Sequence, residues 1–336
     1  MIPEDNSSNS QPRNVAKLGL EILKWIILGA IIIWIAKKVP QRDWDILIHQ
    51  PKIWSFLALA LALVILSNII TFWRWKQLLD ALEVPISIVE VVRIGFLGVA
   101  LSLVSVGSVG GDVFKAIAAA NRCRHRKTEI FTSVLVDRAI GLLGLVMVAA
   151  VALSLSNSLS PQLLAIRTAA WSLSGIGIFG LLAISLLGTR FPTAWIQRIP
   201  LAGPLLHRIV QACMIFRSHR LLALSMVLSS LMVHTLATLA CWFVSMGLYQ
   251  RNAPRSIPTV LEHFQAIPPA LAASTLPLTP GGLGMQELWI DALFRQIPTV
   301  SPEYSGLVMA TMFRAILVLV AAIGGVIYLT SSRRNS

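Results

Sequence analysis

The sequence predicts an all-α fold, a polytopic bundle of transmembrane helices with six full spans and two broken re-entrant hairpins. Three observations predict it. Of 336 residues, 56% are hydrophobic and only 13% charged, where soluble domains usually carry about a quarter charged residues. The apolar residues fall in blocks near the roughly 20 residues that a helix needs to cross the hydrocarbon core. Two further apolar regions are interrupted by glycine clusters with short apolar arms, unlike ordinary surface loops.

Taken in order, the full spans fall at about 18–36, 53–73, 129–153, 168–188, 221–248 and 305–330. The first block is too long for the apolar core of a signal peptide. Lys37 and Lys38 follow it in place of a small-residue cleavage site, so it reads as a retained helix. The domain plan is then a polar cytoplasmic tail over 1–17, one membrane domain over 18–330 and a short basic cytoplasmic tail over 331–336. Between Leu205 and Arg220 an amphipathic stretch suits either an interfacial helix against anionic lipid or an ordinary connection.

The interrupted regions are 86–120, which breaks at Gly107-Ser-Val-Gly-Gly111, and 260–297, which breaks at Pro280-Gly-Gly-Leu-Gly284. Charge decides their threading. If 86–106 crossed the bilayer, Arg74 and Lys76 would face one side and Arg122, Arg124, Arg126 and Lys127 the other. If the chain enters, breaks and returns, all six face one side. With both termini in the cytoplasm and both regions re-entrant, most Lys and Arg lie inside, as the positive-inside rule expects. One hairpin then dips in from each side, a pattern that predicts inverted repeats.

The net charge of +13 is spread between apolar blocks. That distribution points to anionic lipid headgroups as partners and away from nucleic acid. Cys123, Cys213 and Cys241 show no CxxC spacing, so neither a disulfide framework nor a zinc site is expected. The histidines lack metal-site spacing, and His234 reads as a satisfied core residue. No hydrolase, P-loop or dinucleotide motif is present. The expectation is therefore no metal, no cofactor and no catalytic set.

Polar residues inside apolar segments are the candidates for function, because burying them is costly. In the first break, Gly107, Gly110 and Gly111 let the backbone turn sharply and approach a ligand. The helix restarting near Asp112 offers free N–H groups to an anion, and Lys115 adds a point charge one turn on. Asp112 as an N-cap paired with Lys115 is the structural alternative. In the second break, Pro280, Gly281, Gly282 and Gly284 precede Glu287, early in the returning helix. Asp137 and Arg138 lie inside the third full span. Arg138 suits an oxyanion, since guanidinium binds such groups through two N–H donors, and internal ion pairing fits equally. Arg314 in the last span is placed to neutralise Glu287 or to bind substrate. Arg74, beside Trp73 and Trp75, reads as an interfacial anchor, and Glu90 and Arg93 as a pair on one helix face.

Four motifs carry a family resemblance over nearly the whole chain. They are the Arg74-Trp-Lys-Gln-Leu-Leu79 run, the segment ending Gly110-Gly-Asp-Val-Phe-Lys115, the Asp137-Arg138 pair, and Pro280-Gly-Gly-Leu-Gly-Met-Gln-Glu287. The chain resembles the flippase-like family related to the transmembrane region of lysylphosphatidylglycerol synthase. It departs from that pattern at Val106-Gly107, where the family usually has proline, and at Lys115, where it usually has arginine. The resemblance implies movement of a lipid or lipid-linked headgroup between leaflets of the cytoplasmic membrane. The cargo does not carry over from the resemblance; the expected partners are membrane lipids, an anionic phospholipid or a polyprenyl-phosphate-linked lipid, together with enzymes of envelope assembly. A membrane-embedded transferase, a small-solute transporter and an assembly scaffold stay open as other readings.

Overall fold

A computed structural model describes residues 41–102, 105, 109–156, 158–187, 210, 213–249, 257–275 and 284–332. Among these residues the chain is helical and contains no strand. The helices are α1 (Gln41–Ile48), α2 (Trp54–Ala81), α3 (Ile88–Ser102), α4 (Val109–Arg122), α5 (Lys127–Ser154), α6 (Pro161–Leu187), α7 (Arg220–Leu248), α8 (Val260–Ala273), α9 (Met285–Phe294) and α10 (Gly306–Ser332). The predicted span 18–36 and tail 1–17 lie outside the described residues, as do residues 333–336 and most of the amphipathic stretch 205–220. Of that stretch, Met214–Arg217 forms a 3-10 turn that buries Phe216.

Five helices, α2, α5, α6, α7 and α10, are long and apolar enough to cross a membrane. They coincide with the five full spans predicted beyond residue 50. A spanning segment must satisfy its own backbone groups, and its hydroxyls return to the helix as well. Ser67 donates to the Val64 carbonyl at 2.8 Å and Thr71 to the Ser67 carbonyl at 2.9 Å. Half of the most apolar window of α5 is buried, against 17% for α6. Accordingly α5 runs through the middle of the bundle, while α6 turns Leu173, Ile176 and Phe179 outward.

The two glycine-interrupted regions fold as helical hairpins. Helices α3 and α4 have 15 and 14 residues, and α8 and α9 have 14 and 10. Each is shorter than the roughly 20 residues of a span. Arg122 meets Glu90 at 3.0 Å at the open end of the first hairpin. Near its tip, a Cβ on Gly111 would come within 2.4 Å of the Gly98 carbonyl oxygen, so only glycine allows this approach. In the second hairpin α8 begins at a capping box, with Thr259 accepting from the Glu262 N–H at 3.3 Å. Its His263 packs edge-on against Phe294 of α9, with ring centroids 5.1 Å apart.

Two four-helix units, α2–α5 and α7–α10, pack with a twofold pattern. Exchanging α2 with α7, α3 with α8, α4 with α9 and α5 with α10 maps the main helix contacts onto one another. Thus α3 lies on α10 as α8 lies on α5, and α5 touches α7 as α10 touches α2. Helices α2 and α7 form the self-paired centre and run antiparallel. Ile53 N–H donates to the Gly247 carbonyl at 3.0 Å at one end, and Ser225 donates to Gln77 at 2.9 Å near the other. The units therefore have opposite senses.

Candidate functional site

Residues from both hairpins line one cavity of about 290 Å³. From the first come Ser102, Gly111, Asp112 and Lys115, and from the residue before Glu287 in the second comes Gln286. The long helices add Asn68 and Thr71 from α2, Arg138 from α5 and Arg314 from α10. The sequence predicts Gly111, Asp112, Lys115, Arg138 and Arg314 as separate candidates, and the packing brings them to one space.

On the first side, α4 starts at Val109, three residues before the expected restart at Asp112. Asp112 thus sits in the first turn and directs its carboxylate sideways. It meets Arg138 at 3.1 Å and Lys115 at 3.7 Å. Lys115, buried at 5% exposure, also approaches Asp137 at 3.7 Å and stands 4.4 Å above the Trp75 ring. That cation–π contact is favoured where the ammonium is desolvated.

Arg74 corrects the sequence reading. It is 4% exposed and is no interfacial anchor. Helix α2 continues to Ala81, past the apolar block that ends near residue 73, and this places Arg74 inside the bundle. Its Nε donates to Asp137 Oδ1 at 2.9 Å. Arg74 Nη1 is buried without a hydrogen-bond partner, so the guanidinium is only partly satisfied. Next to it, Trp75 Nε1 donates to Ser133 at 2.9 Å. Asp137 and Arg138 face different neighbours, as adjacent residues on a helix must.

On the second side, Gly284 adopts φ 81°, a conformation that favours glycine, and its N–H donates to Glu287 Oε2 at 2.8 Å. Arg314 Nε donates to Glu287 Oε1 at 2.7 Å, and its Nη2 donates to Gln286 at 2.9 Å. Gly107, Pro280, Gly281 and Gly282 lie outside the described residues. Gly110 lies in the first turn of α4, against Ser105.

Sequence reasoning missed Gln286, Ser102, Asn68 and Thr71 as lining residues and Arg74 as the partner of Asp137. Gln286 was detectable from its place beside Glu287. The Arg74–Asp137 pair joins residues 63 positions apart, and no local pattern reveals it. Two smaller readings hold. His234 approaches the Gly141 carbonyl at 2.9 Å, and Arg93 meets Glu90 at 3.6 Å. The three cysteines are free and buried, and burial pushes the Cys213 thiol up to about 12, which leaves it protonated and unreactive at neutral pH.

Around the cavity and directly behind it stand four cations, Arg74, Lys115, Arg138 and Arg314, and three carboxylates, Asp112, Asp137 and Glu287. Among the described residues this ion-paired cluster holds four cations against three carboxylates, in an apolar bundle where an uncompensated charge is costly. Among the described residues, no group of three His, Cys, Asp or Glu side chains is placed to hold a metal ion.

Fold and cavity together define a multi-pass helical membrane protein with a charged, partly open cavity lined from two helical hairpins and the long helices beside them. The chain belongs to the lysylphosphatidylglycerol synthase transmembrane region family, whose model matches residues 22–325. No curated protein and no solved structure matches it.

Proposed function

We propose that this protein moves a lipid, or a lipid-linked headgroup, between the leaflets of the cytoplasmic membrane. One observation carries the reading: polar residues of both hairpins converge on a single cavity inside a bundle of apolar spans. Non-helical backbone and charge at membrane depth are tolerated where they line such a cavity. The hairpins are re-entrant in this account, entering from opposite sides, with the basic loops around α3 and α4 facing the cytoplasm.

The predominance of cations among the described residues around the cavity favours an anionic group such as a phosphodiester. Arg138 and Arg314 have the N–H geometry for a phosphate oxygen, and Lys115 supplies a further positive charge. Beside the cavity, the other faces of α2 and α3 form an apolar groove of about 810 Å³ with α7, lined by Ile69, Trp73, Ile88, Val92, Leu224 and Leu228. Acyl tails can stay on this face while the headgroup crosses through the cavity.

The test is reconstitution into vesicles with headgroup-labelled lipids of several classes, labelled phosphatidylglycerol, phosphatidylcholine and a polyprenyl phosphate among them. Anionic lipids are expected to exchange between leaflets faster than in protein-free vesicles. Exchange no faster than in protein-free vesicles for every class overturns the reading.

A further inference from the structure

The exchange of α2–α5 with α7–α10 carries one ion pair of the cavity onto the other. Asp112 sits in the first turn of α4 and Glu287 in the first turn of α9. Each acid holds an arginine on the long helix that follows its hairpin, Arg138 on α5 and Arg314 on α10. Glu287 and Arg314 are 27 positions apart, one more than Asp112 and Arg138. Because the two units have opposite senses, the pairs reach the same cavity on oppositely directed helices.

We infer that Arg138 and Arg314 are two equivalent ligands of a single site for a phosphate-type monoanion, each held in reserve by its own carboxylate. The inference rests on the reading of the cavity as a headgroup site and gives that site its ligand chemistry. A phosphate oxygen and a carboxylate oxygen compete for the same guanidinium N–H donors. Asp112 and Glu287 are then internal competitors, which keep the arginines neutralised in the unloaded cavity and are displaced as the anion arrives. Inverted units present the same arrangement to both sides, so the anion passes from one arginine to the other while the displaced carboxylate returns to its partner. The halves differ in the neighbours of these pairs. Lys115 has as its counterpart the buried Ile290, three residues after Glu287, and Gln286, which accepts from Arg314, has as its counterpart Gly111, so the two halves match in their acid–arginine pairs and differ around them.

The full chain, purified in a neutral detergent, is titrated calorimetrically with inorganic phosphate and with a short-chain phosphatidylglycerol. One anion per chain is expected. Arg138→Gln and Arg314→Gln each weaken binding by about tenfold or more, as loss of a charged hydrogen bond does. Asp112→Asn and Glu287→Gln each tighten it by about threefold or more, a gain that a damaged fold does not produce. Two anions per chain, dependence on only one arginine, or weaker binding after removal of either carboxylate overturns the inference. This pattern with the short-chain lipid assigns the anion to a headgroup. The pattern with inorganic phosphate alone upholds the two-arginine site and sinks only the headgroup reading. Leaflet exchange is a separate readout: its absence together with this binding pattern defeats the transport proposal and leaves the anion site standing.

Discussion

A carboxylate buried in an apolar bundle stays charged only where cations hold it. Asp137 shows this: Arg74 bonds it on one side and Lys115 approaches it on the other. Removing one member of a buried pair strands the other charge, at about 3–5 kcal/mol, whereas replacing both with apolar groups is often near neutral. Arg74→Met is therefore expected to lower stability by about that amount, and Arg74→Met with Asp137→Leu to recover much of it. Thermal unfolding in detergent micelles measures both. Equal losses in the single and double variants contradict the pairing. At this scale the sequence exposes which residues are costly, since an acid or arginine inside an apolar run stands out. It does not reveal who neutralises whom. Asp112, Lys115, Arg138, Glu287 and Arg314 were all visible as candidates, but Arg74 looked interfacial because the apolar run stops just before it while the helix does not.

Elements were easier to read. The apolar blocks of α2, α5, α6, α7 and α10 give their type and order, because lipid leaves a long apolar segment little choice but helix. The hairpins were legible through glycine. Gly111 permits the approach to Gly98, and Gly284 supplies a positive φ at the start of α9. Helix starts were less legible, as with Val109 for α4, since the first turn tolerates glycine and its acid suits either a cap or an ion pair. The threading makes a sharp prediction at this scale. With the native cysteines replaced, single cysteines at Glu83 and Arg124, before α3 and after α4, are expected to react with an impermeant thiol reagent from one and the same side. Cysteines at Val260 and Glu303, at the start of α8 and after α9, are exposed positions expected to react from the opposite side. Glu83 and Arg124 labelling from opposite sides contradicts re-entrance of the first hairpin.

At the scale of the molecule, the twofold exchange of α2–α5 with α7–α10 resides in packing and not in residue identity. Similar sequence is not needed for α3 to lie on α10 as α8 lies on α5, so only the alternation of spans and glycine breaks hinted at the repeat. Joining both hairpins at one cavity is likewise a property of the assembled bundle. The account's central claim is that a headgroup crosses through that cavity. Val99 on α3 lines it, so Val99→Trp fills the space without removing a charged group. The decisive measurement is the rate of leaflet exchange of labelled phosphatidylglycerol in vesicles holding either the wild type or Val99→Trp at matched amounts of folded protein. The account predicts exchange by the wild type and a fall to the protein-free rate in the filled variant. Exchange by Val99→Trp as fast as by the wild type contradicts it.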